Sequence, residues 1–150
     1  SEMSYTLKMH RVFSAPPERV YRAFIHPNAI AKWLSPHGFT ARVEHAEVKP
    51  GGSYKITLTN FATGTQHHLH GTYHEVIPNQ LLRYTDCFST PEVKGEIEVT
   101  LIFEKVSVGT SLHIIQVGYP DLVPPSACHL SWQESLQLLS WLVNPHILDG

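Results

Sequence analysis

The side chains best suited to chemistry lie at alternating positions of segments that are otherwise apolar. Tyr84 and Asp86 are two residues apart, so a β-strand presents both on one face. Gln116 follows Leu112 and Ile114 at the same spacing on a later segment. A few hydroxyl, carboxyl and amide groups on an apolar lining are typical of a small-molecule pocket. The pattern therefore predicts a cavity that binds a ligand.

The residues that we expect to contact such a ligand all lie on the inward face of a predicted strand or helix. They are Phe24, Trp33, Tyr54, Ile56, Leu58, Tyr84, Asp86, Phe103, Gln116, Trp132 and Leu136. Gln116 is the most informative, because a primary amide left without a partner inside a protein costs about 1–3 kcal/mol. A ligand, a water molecule or the hydroxyl of Tyr54 or Tyr84 could each supply that partner.

The histidine-rich run over residues 67–74 is a second candidate for chemistry. His68, His70 and His74 fall on one strand face, and neutral imidazoles are common zinc ligands. Alternate residues of a strand are roughly 6.5–7 Å apart, however, so His74 lies about 20 Å from His68 and cannot share its metal. The run contains no cysteine or carboxylate to complete a site, although Glu44, Glu47 or His45 on a neighbouring strand could do so. We therefore predict a solvent-exposed polar face and no metal.

Motifs for covalent or phosphate chemistry do not occur in the chain. The sequence contains no G-x-S-x-G segment, no glycine-rich loop opening a helix after a strand, and no H-E-x-x-H. We assign no catalytic residue and no cofactor. If a reaction occurs, the candidate is proton transfer by Asp86 or Tyr84 on a bound carbonyl compound, with Asp86 made more basic by burial.

Composition limits the class of protein. The 150 residues carry 11 Lys and Arg against 13 Asp and Glu, without the concentrated basic face of a nucleic-acid binder. No apolar run approaches the roughly 18 residues that span a bilayer, and the polar residues 1–4 do not resemble a signal peptide. The two cysteines form no C-x-x-C pair. We expect one cytoplasmic domain over residues 1–150 that does not insert into a membrane.

The order of elements predicts an α+β fold. A first strand precedes two short helices, then come six strands in hairpin series, and one long helix over residues 126–143 ends the chain. Hairpins in series favour an antiparallel sheet with the helices on one face. The long helix is apolar on more than one side, which suggests a homodimer formed through Leu138, Trp141 or Leu142.

Several stretches, in this order and spacing, resemble the START-like or SRPBCC helix-grip superfamily. The chain is most similar there to the activator of heat-shock protein 90 ATPase homologue group. The stretches are residues 15–24 (APPERVYRAF), 31–36 (AKWLSP), 50–54 (PGGSY), 71–76 (GTYHEV), 82–85 (LRYT) and 131–136 (SWQESL). Ser131 stands where the group often has glycine, which affects only how closely the last helix packs.

The resemblance implies a curved antiparallel sheet of about six to seven strands that grips one long C-terminal helix. It also implies an apolar cavity between the sheet and that helix, and hence binding of a small hydrophobic or amphipathic molecule. Two alternatives come with it. One is a cyclase-like or proton-transfer enzyme acting in the same pocket. The other is a chaperone-associated interaction module with a role in the stress response.

Overall fold

The computed structural model describes residues 4–88, 96–120 and 124–145. Within these residues the chain forms seven strands and three helices. The elements are β1 (Ser4–Phe13), α1 (Pro17–Ile25), α2 (Pro27–Trp33), β2 (Phe39–Ala46), β3 (Ser53–Asn60), β4 (Gln66–Ile77), β5 (Leu81–Phe88), β6 (Ile97–Val106), β7 (Gly109–Pro120) and α3 (Pro125–Val143). This order confirms the predicted α+β helix-grip fold class.

The strands form one antiparallel sheet in the order β1-β7-β6-β5-β4-β3-β2. Strands β2 to β7 follow one another as hairpins, whereas β1 pairs with β7 at the far edge. Register shifts in β1, β2 and β4 interrupt the pairing, and such irregularities bend a sheet. The result is the curved, open sheet that the sequence predicts.

The two short helices cross the sheet from one edge to the other. Because β1 and β2 lie on opposite edges, the chain between them must traverse one face, and α1 and α2 make that crossing. Pro27 restricts the residue before it, so His26 is extended (φ −93°, ψ 123°) and separates the two helices. The Trp33 indole N–H donates to the carbonyl of Ala23 over 2.8 Å, which fixes α2 against α1.

Helix α3 fills the side of the sheet nearest β1 and β7. Its inward residues recur every three or four positions, and Cys128, Leu136, Leu139 and Val143 are all buried in the main core. The Ser135 hydroxyl donates to the carbonyl of Leu34 over 3.0 Å, so α3 also holds the end of α2. Both helices therefore lie on the same face of the sheet. Helix α3 covers the half near β1 and β7, and α2 covers the half near β3 and β4.

A smaller apolar cluster lies apart from the main core, beneath α2. It contains Ile30 from α2 together with Tyr54, Ile56 and Tyr73 from β3 and β4. These side chains alternate along their strands with outward polar residues, as expected for a sheet that has one dry face. The division into two clusters places α2, rather than α3, above β3 and β4.

The outer side of α3 leaves several apolar side chains in contact with solvent. Leu130, Trp141 and Leu142 are exposed there, whereas Leu138 packs partly against the core. The homodimer predicted through this helix stays a prediction. None of the helices in the described ranges has the length and apolar character needed to cross a membrane.

The contrast between the two sides of α3 can be tested by truncation. Leu139→Ala should lower the free energy of unfolding by about 2–5 kcal/mol, because Leu139 is 0% exposed. Leu130→Ala is the matched control on the same helix. With Leu130 61% exposed, its truncation should cost about 1 kcal/mol or less. Urea unfolding measures both costs, and equal values would contradict this orientation of α3.

Candidate functional site

A cavity opens between the two short helices and strands β3 to β5. Its wall is apolar and aromatic apart from one carboxyl group. The lining residues are Phe24, Ile30, Trp33, Leu34, Tyr54, Ile56, Leu69, Tyr73, Leu82, Tyr84 and Asp86. The space between atoms is about 470 Å³ including the open mouth, and the centres of water molecules can occupy about 60 Å³ of it. A single water needs roughly 10–15 Å³ on the latter measure, so several waters or a small organic molecule would fit.

The tight turn before β3 aligns the strands that form the cavity floor. Gly51 adopts a positive φ of 83°, a conformation that favours glycine. Its N–H donates to the carbonyl of Tyr73 over 2.8 Å, and the N–H of Tyr73 donates to the carbonyl of Gly52 over 2.8 Å. The turn is therefore hydrogen-bonded to β4, which sets the register of Tyr54 on the neighbouring strand.

One hydrogen bond spans three strands of the floor. Tyr54, Gly71 and Asp86 are direct partners in the register of β3, β4 and β5. The Tyr54 ring crosses over Gly71, and its hydroxyl donates to the Asp86 carboxylate. A Cβ added at Gly71 would lie 2.8 Å from the Tyr54 hydroxyl and 1.8 Å from the carbonyl oxygen of Thr85. Only glycine at this position allows the tyrosine to reach the carboxyl group.

Three tyrosine rings surround the polar end of the cavity. The centroid of Tyr54 lies 5.5 Å from that of Tyr73 and 5.7 Å from that of Tyr84, and the Tyr73 and Tyr84 centroids are 5.8 Å apart. The Tyr54–Tyr84 contact is edge-to-face, an arrangement that aromatic pairs prefer. The rings therefore form a closed triangle of mutual contacts beside the Asp86 carboxyl group.

Burial changes the acidity of this cluster. Removal from water raises the pKa of Asp86 from its ordinary value of 3.8 to about 6, while the hydrogen bond from Tyr54 opposes the rise. Burial also raises the pKa of Tyr54, Tyr73 and Tyr84, and the nearby Asp86 charge adds to each shift. The tyrosines thus stay neutral at physiological pH, whereas Asp86 can change its charge just below neutrality.

The structure brings together part of the predicted ligand-contacting set. Phe24, Trp33, Tyr54, Ile56, Tyr84 and Asp86 line the cavity. Leu58, Phe103, Gln116, Trp132 and Leu136 do not line it. Phe103 packs edge-on against Tyr21 and Phe24, and Leu58 packs beside the smaller apolar cluster. Contact of the six wall residues with a ligand stays a prediction.

The position of the cavity differs from the one expected beneath the C-terminal helix. Its wall comes from α1, α2 and β3 to β5, and no described residue of α3 contributes to it. Leu136, Leu139 and Val143 fill the space under α3, and none is more than 2% exposed. The described cavity therefore lies beside α2, because the inward stripe of α3 packs directly on the sheet, and a cavity beneath α3 stays a prediction.

Gln116 finds a partner that the sequence did not suggest. Its side-chain oxygen accepts a hydrogen bond from the Trp132 indole N–H over 2.8 Å. Neither Tyr54 nor Tyr84 is involved. Because β7 lies under α3, the inner face of this strand meets the helix instead of the cavity. Gln116 and Trp132 therefore form a separate polar contact within the core.

Some residues of the cavity wall were not among the predicted contacts. They are Ile30, Leu34, Leu69, Tyr73 and Leu82. Leu69 and Tyr73 lie in the histidine-rich run, which was predicted to form a polar face. They alternate with His68, His70 and His74, and this period of two predicts that they lie on the opposite, inward face. The missed members of β4 thus follow from the same alternation that places the histidines outside.

The histidines point away from the cavity. His68 lies on the outer face, with its Nδ1 3.2 Å from the Thr57 hydroxyl, and His70 is exposed. A register shift between Tyr73 and Glu75 places His74 in an irregular, exposed position. In the described part of the chain, no group of three or more His, Cys, Asp or Glu side chains could hold a metal ion.

The raised pKa of Asp86 predicts a pH-dependent stability. The folded state binds the Asp86 proton more tightly than the unfolded state does. Protonation of Asp86 therefore contributes most to the free energy of unfolding below about pH 4, and this contribution is lost as the pH rises to about 6. Asp86→Asn removes the titration. The free energy of unfolding of the variant, minus that of the wild type, should rise by about 2–3 kcal/mol between pH 4 and pH 7. Urea unfolding across this range measures it, and a flat or falling difference would contradict the burial of the charge.

Comparison with known proteins places this geometry in a family. Residues 14–144 match the family described as activator of Hsp90 ATPase homolog 1-like protein. No curated protein matches the chain. The crystal structure of a protein from Chromobacterium violaceum is 45% identical, with 94% of this chain and 98% of that one covered and a TM-score of 0.91.

Two more distant structures share the fold alone. One, from Rhodobacter sphaeroides, is 23% identical over 95% of this chain and 97% of its own, with a TM-score of 0.81. The other, an AHSA1 protein from Silicibacter pomeroyi, is 19% identical over 92% and 96%, with a TM-score of 0.79. With its helix-grip fold and its match over residues 14–144, this chain belongs to the activator of Hsp90 ATPase homolog 1-like family.

Proposed function

We propose that the protein binds a small hydrophobic or amphipathic molecule in the cavity between α2 and strands β3 to β5. The observation that carries this proposal is the cavity itself, with its apolar wall and its single carboxyl group. Ligand sites are typically concave, mostly apolar and equipped with a few polar groups that fix orientation. Membership of a family with the helix-grip fold is consistent with such a role.

The shape of the wall indicates how a ligand would lie. Ile30 and Trp33 of α2, with Leu34 just after it, line the cavity together with Ile56 and Leu69 of the sheet, which suits an apolar body. The Asp86 carboxyl group and the Tyr54 hydroxyl lie together on the floor, which suits one polar end. The small volume favours a compact ligand, because a longer one would need α2 to move away from the sheet.

A pair of variants on one strand tests the binding proposal. Ile56→Phe should fill the cavity and weaken binding of cyclohexanol about tenfold or more, because Ile56 forms part of the wall. Leu58→Phe is the matched control, two residues along the same face and outside the wall, and should change the affinity less than about twofold. The indole N–H signal of Trp33, observed by NMR in labelled protein, reports the titration.

Two results would contradict the proposal. One is the absence of saturable binding for cyclohexanol, benzene and xenon alike, since apolar cavities of this kind take up such probes. The other is equal weakening by Ile56→Phe and Leu58→Phe. Native mass spectrometry of protein purified without added ligand provides an independent readout, because a retained small molecule would reveal the natural occupant.

Proton transfer is a second candidate function, and one observation favours it. Asp86 combines a position on the cavity floor with a pKa of about 6, and general bases work best when their pKa lies near the operating pH. Tyr84 lines the same cavity, where its hydroxyl would be available to a carbonyl oxygen. The pair suits abstraction of a proton next to a carbonyl group.

Hydrogen exchange at a ketone tests this candidate. In deuterated water, the protein should accelerate exchange of the α-protons of cyclohexanone. Asp86 takes an α-proton to leave the enolate, the Asp86 carboxyl group exchanges that proton for a deuteron of the solvent, and the deuteron is returned to the α-carbon. Asp86→Asn should reduce that rate by about a hundredfold or more, whereas Leu58→Phe should leave it within about twofold. Proton NMR follows the exchange. Equal rates for wild type and Asp86→Asn would exclude Asp86 as the base.

The chaperone-associated role stays a prediction without a supporting observation. It would be favoured by an exposed apolar patch together with a filled core. Leu130 and Trp141 are exposed on α3, but the described interior contains the cavity. The cytoplasmic location and the role in the stress response likewise stay predictions.

A further inference from the structure

We propose that the cavity selects a small organic cation, in which an ammonium group on a compact apolar body pairs with the Asp86 carboxylate. This inference rests on the proposed function, since it names the chemical class of the ligand that the cavity binds. Three observations carry it: the charge of the wall, the capacity of Asp86 to accept further hydrogen bonds, and the arrangement of the tyrosine rings.

The wall of the cavity carries a carboxyl group and no cation. Among its described lining residues, Asp86 is the one acidic side chain, and none is Lys, Arg or His. The cations of the same strands point outward because side chains alternate across a sheet. Lys55 is exposed, and Arg83 lies near the outer carboxylates of Glu75 and Glu98, 3.6 and 3.7 Å away. The described wall thus supplies no counter-charge to Asp86.

The Asp86 side chain is partly exposed in the cavity wall and can accept further hydrogen bonds from a ligand. Within the described ranges, the Tyr54 hydroxyl is the side-chain group that donates to this carboxylate. An ionised carboxylate has two oxygens with about four acceptor sites, and a carboxylate removed from water is costly unless it is paired. An ammonium group would supply both further donors and a positive charge. A neutral alcohol would supply a donor alone.

The tyrosine triangle supports a cation rather than a neutral donor. The rings of Tyr54, Tyr73 and Tyr84 lie 5.5–5.8 Å apart at the same end of the cavity as Asp86. Aromatic faces attract cations within about 6 Å, and aromatic residues grouped in this way recognise alkylated ammonium groups. A carboxylate and three tyrosine rings in the wall of one apolar cavity are complementary to an alkylammonium ion.

Among the described groups that face Asp86, none other than Asp86 itself changes its charge near neutral pH. Tyr54, Tyr73 and Tyr84 face it from β3, β4 and β5, and Tyr119 of β7 also senses its charge. All four stay neutral because burial raises their pKa. The residues that α1 and α2 contribute to the wall are apolar or aromatic and carry no titratable group. Cys87 is next along β5, where alternation turns it to the opposite face.

A matched pair of probes tests the inference directly. Cyclohexylammonium and cyclohexanol have the same ring and differ in the charge of the polar group. At pH 7.5 the ammonium ion should bind wild-type protein about tenfold more tightly than the alcohol, followed by the Trp33 indole signal. Asp86→Asn should abolish this preference, whereas Leu58→Phe, which changes a residue outside the wall, should retain it.

The pH dependence in the wild type gives a test that needs no variant. Cyclohexylammonium keeps its charge between pH 5 and pH 7.5, because alkylammonium groups titrate near about pH 10.4. Its binding should therefore weaken about tenfold from pH 7.5 to pH 5 as Asp86 takes up a proton, whereas binding of cyclohexanol should change less than about twofold. Tyr73→Leu should weaken binding of the ammonium about threefold more than it weakens binding of the alcohol.

The outcomes separate this inference from the function on which it rests. Equal binding of the two probes to wild type, with no effect of pH or of Asp86→Asn, would overturn the selection of a cation and leave cavity binding intact. Binding of neither probe at any pH would overturn both. Preference for the ammonium in wild type that persists in Asp86→Asn would place the cation at another surface and would also overturn the inference.

Discussion

The hydrogen bond from Tyr54 to Asp86 is the interaction on which the cavity depends. It joins β3 to β5 across the intervening β4, so it exists only while three strands keep one register. It also requires glycine at position 71, where any side chain would collide with both the tyrosine and the backbone of β5. The bond holds a carboxyl group in apolar surroundings, where it would otherwise lack a donor. The register of β3, β4 and β5 and the position of the Asp86 carboxyl group thus depend on the same hydrogen bond.

The helices cover different parts of the sheet to different extents, which explains why a cavity exists beside that bond. Helix α3 places a continuous apolar stripe on β1 and β7 and leaves little space there. The seven residues of α2 cannot cover the other side as fully. Contacts with α1 through Trp33 and with α3 through Leu34 hold α2 in place above β3 and β4. The space that remains is bounded by firmly held elements, which suits a preformed site.

The electrostatics of the cavity follow from its position on the inner face of the sheet. Alternation along each strand sends Lys55, His70 and Arg83 outward and leaves tyrosines and one carboxyl group inside. Burial keeps the tyrosines neutral and makes Asp86 a weaker acid. One group therefore controls the charge of the cavity near neutral pH. Both the binding of a cation and proton transfer would depend on this same group.

The sequence by itself determined the order of elements, the fold class and the inward faces of the strands, because hydrophobic alternation and proline or glycine breaks are local signals. These signals identified Tyr54, Ile56, Tyr84 and Asp86 as neighbours on one face. Tertiary structure alone decided which part of that face stays open. Gln116 follows the same alternation, yet it lies under α3, where its side-chain oxygen accepts a hydrogen bond from the Trp132 indole N–H. Which helix lies above which strands depends on contacts distant in sequence, and no local pattern contains that information.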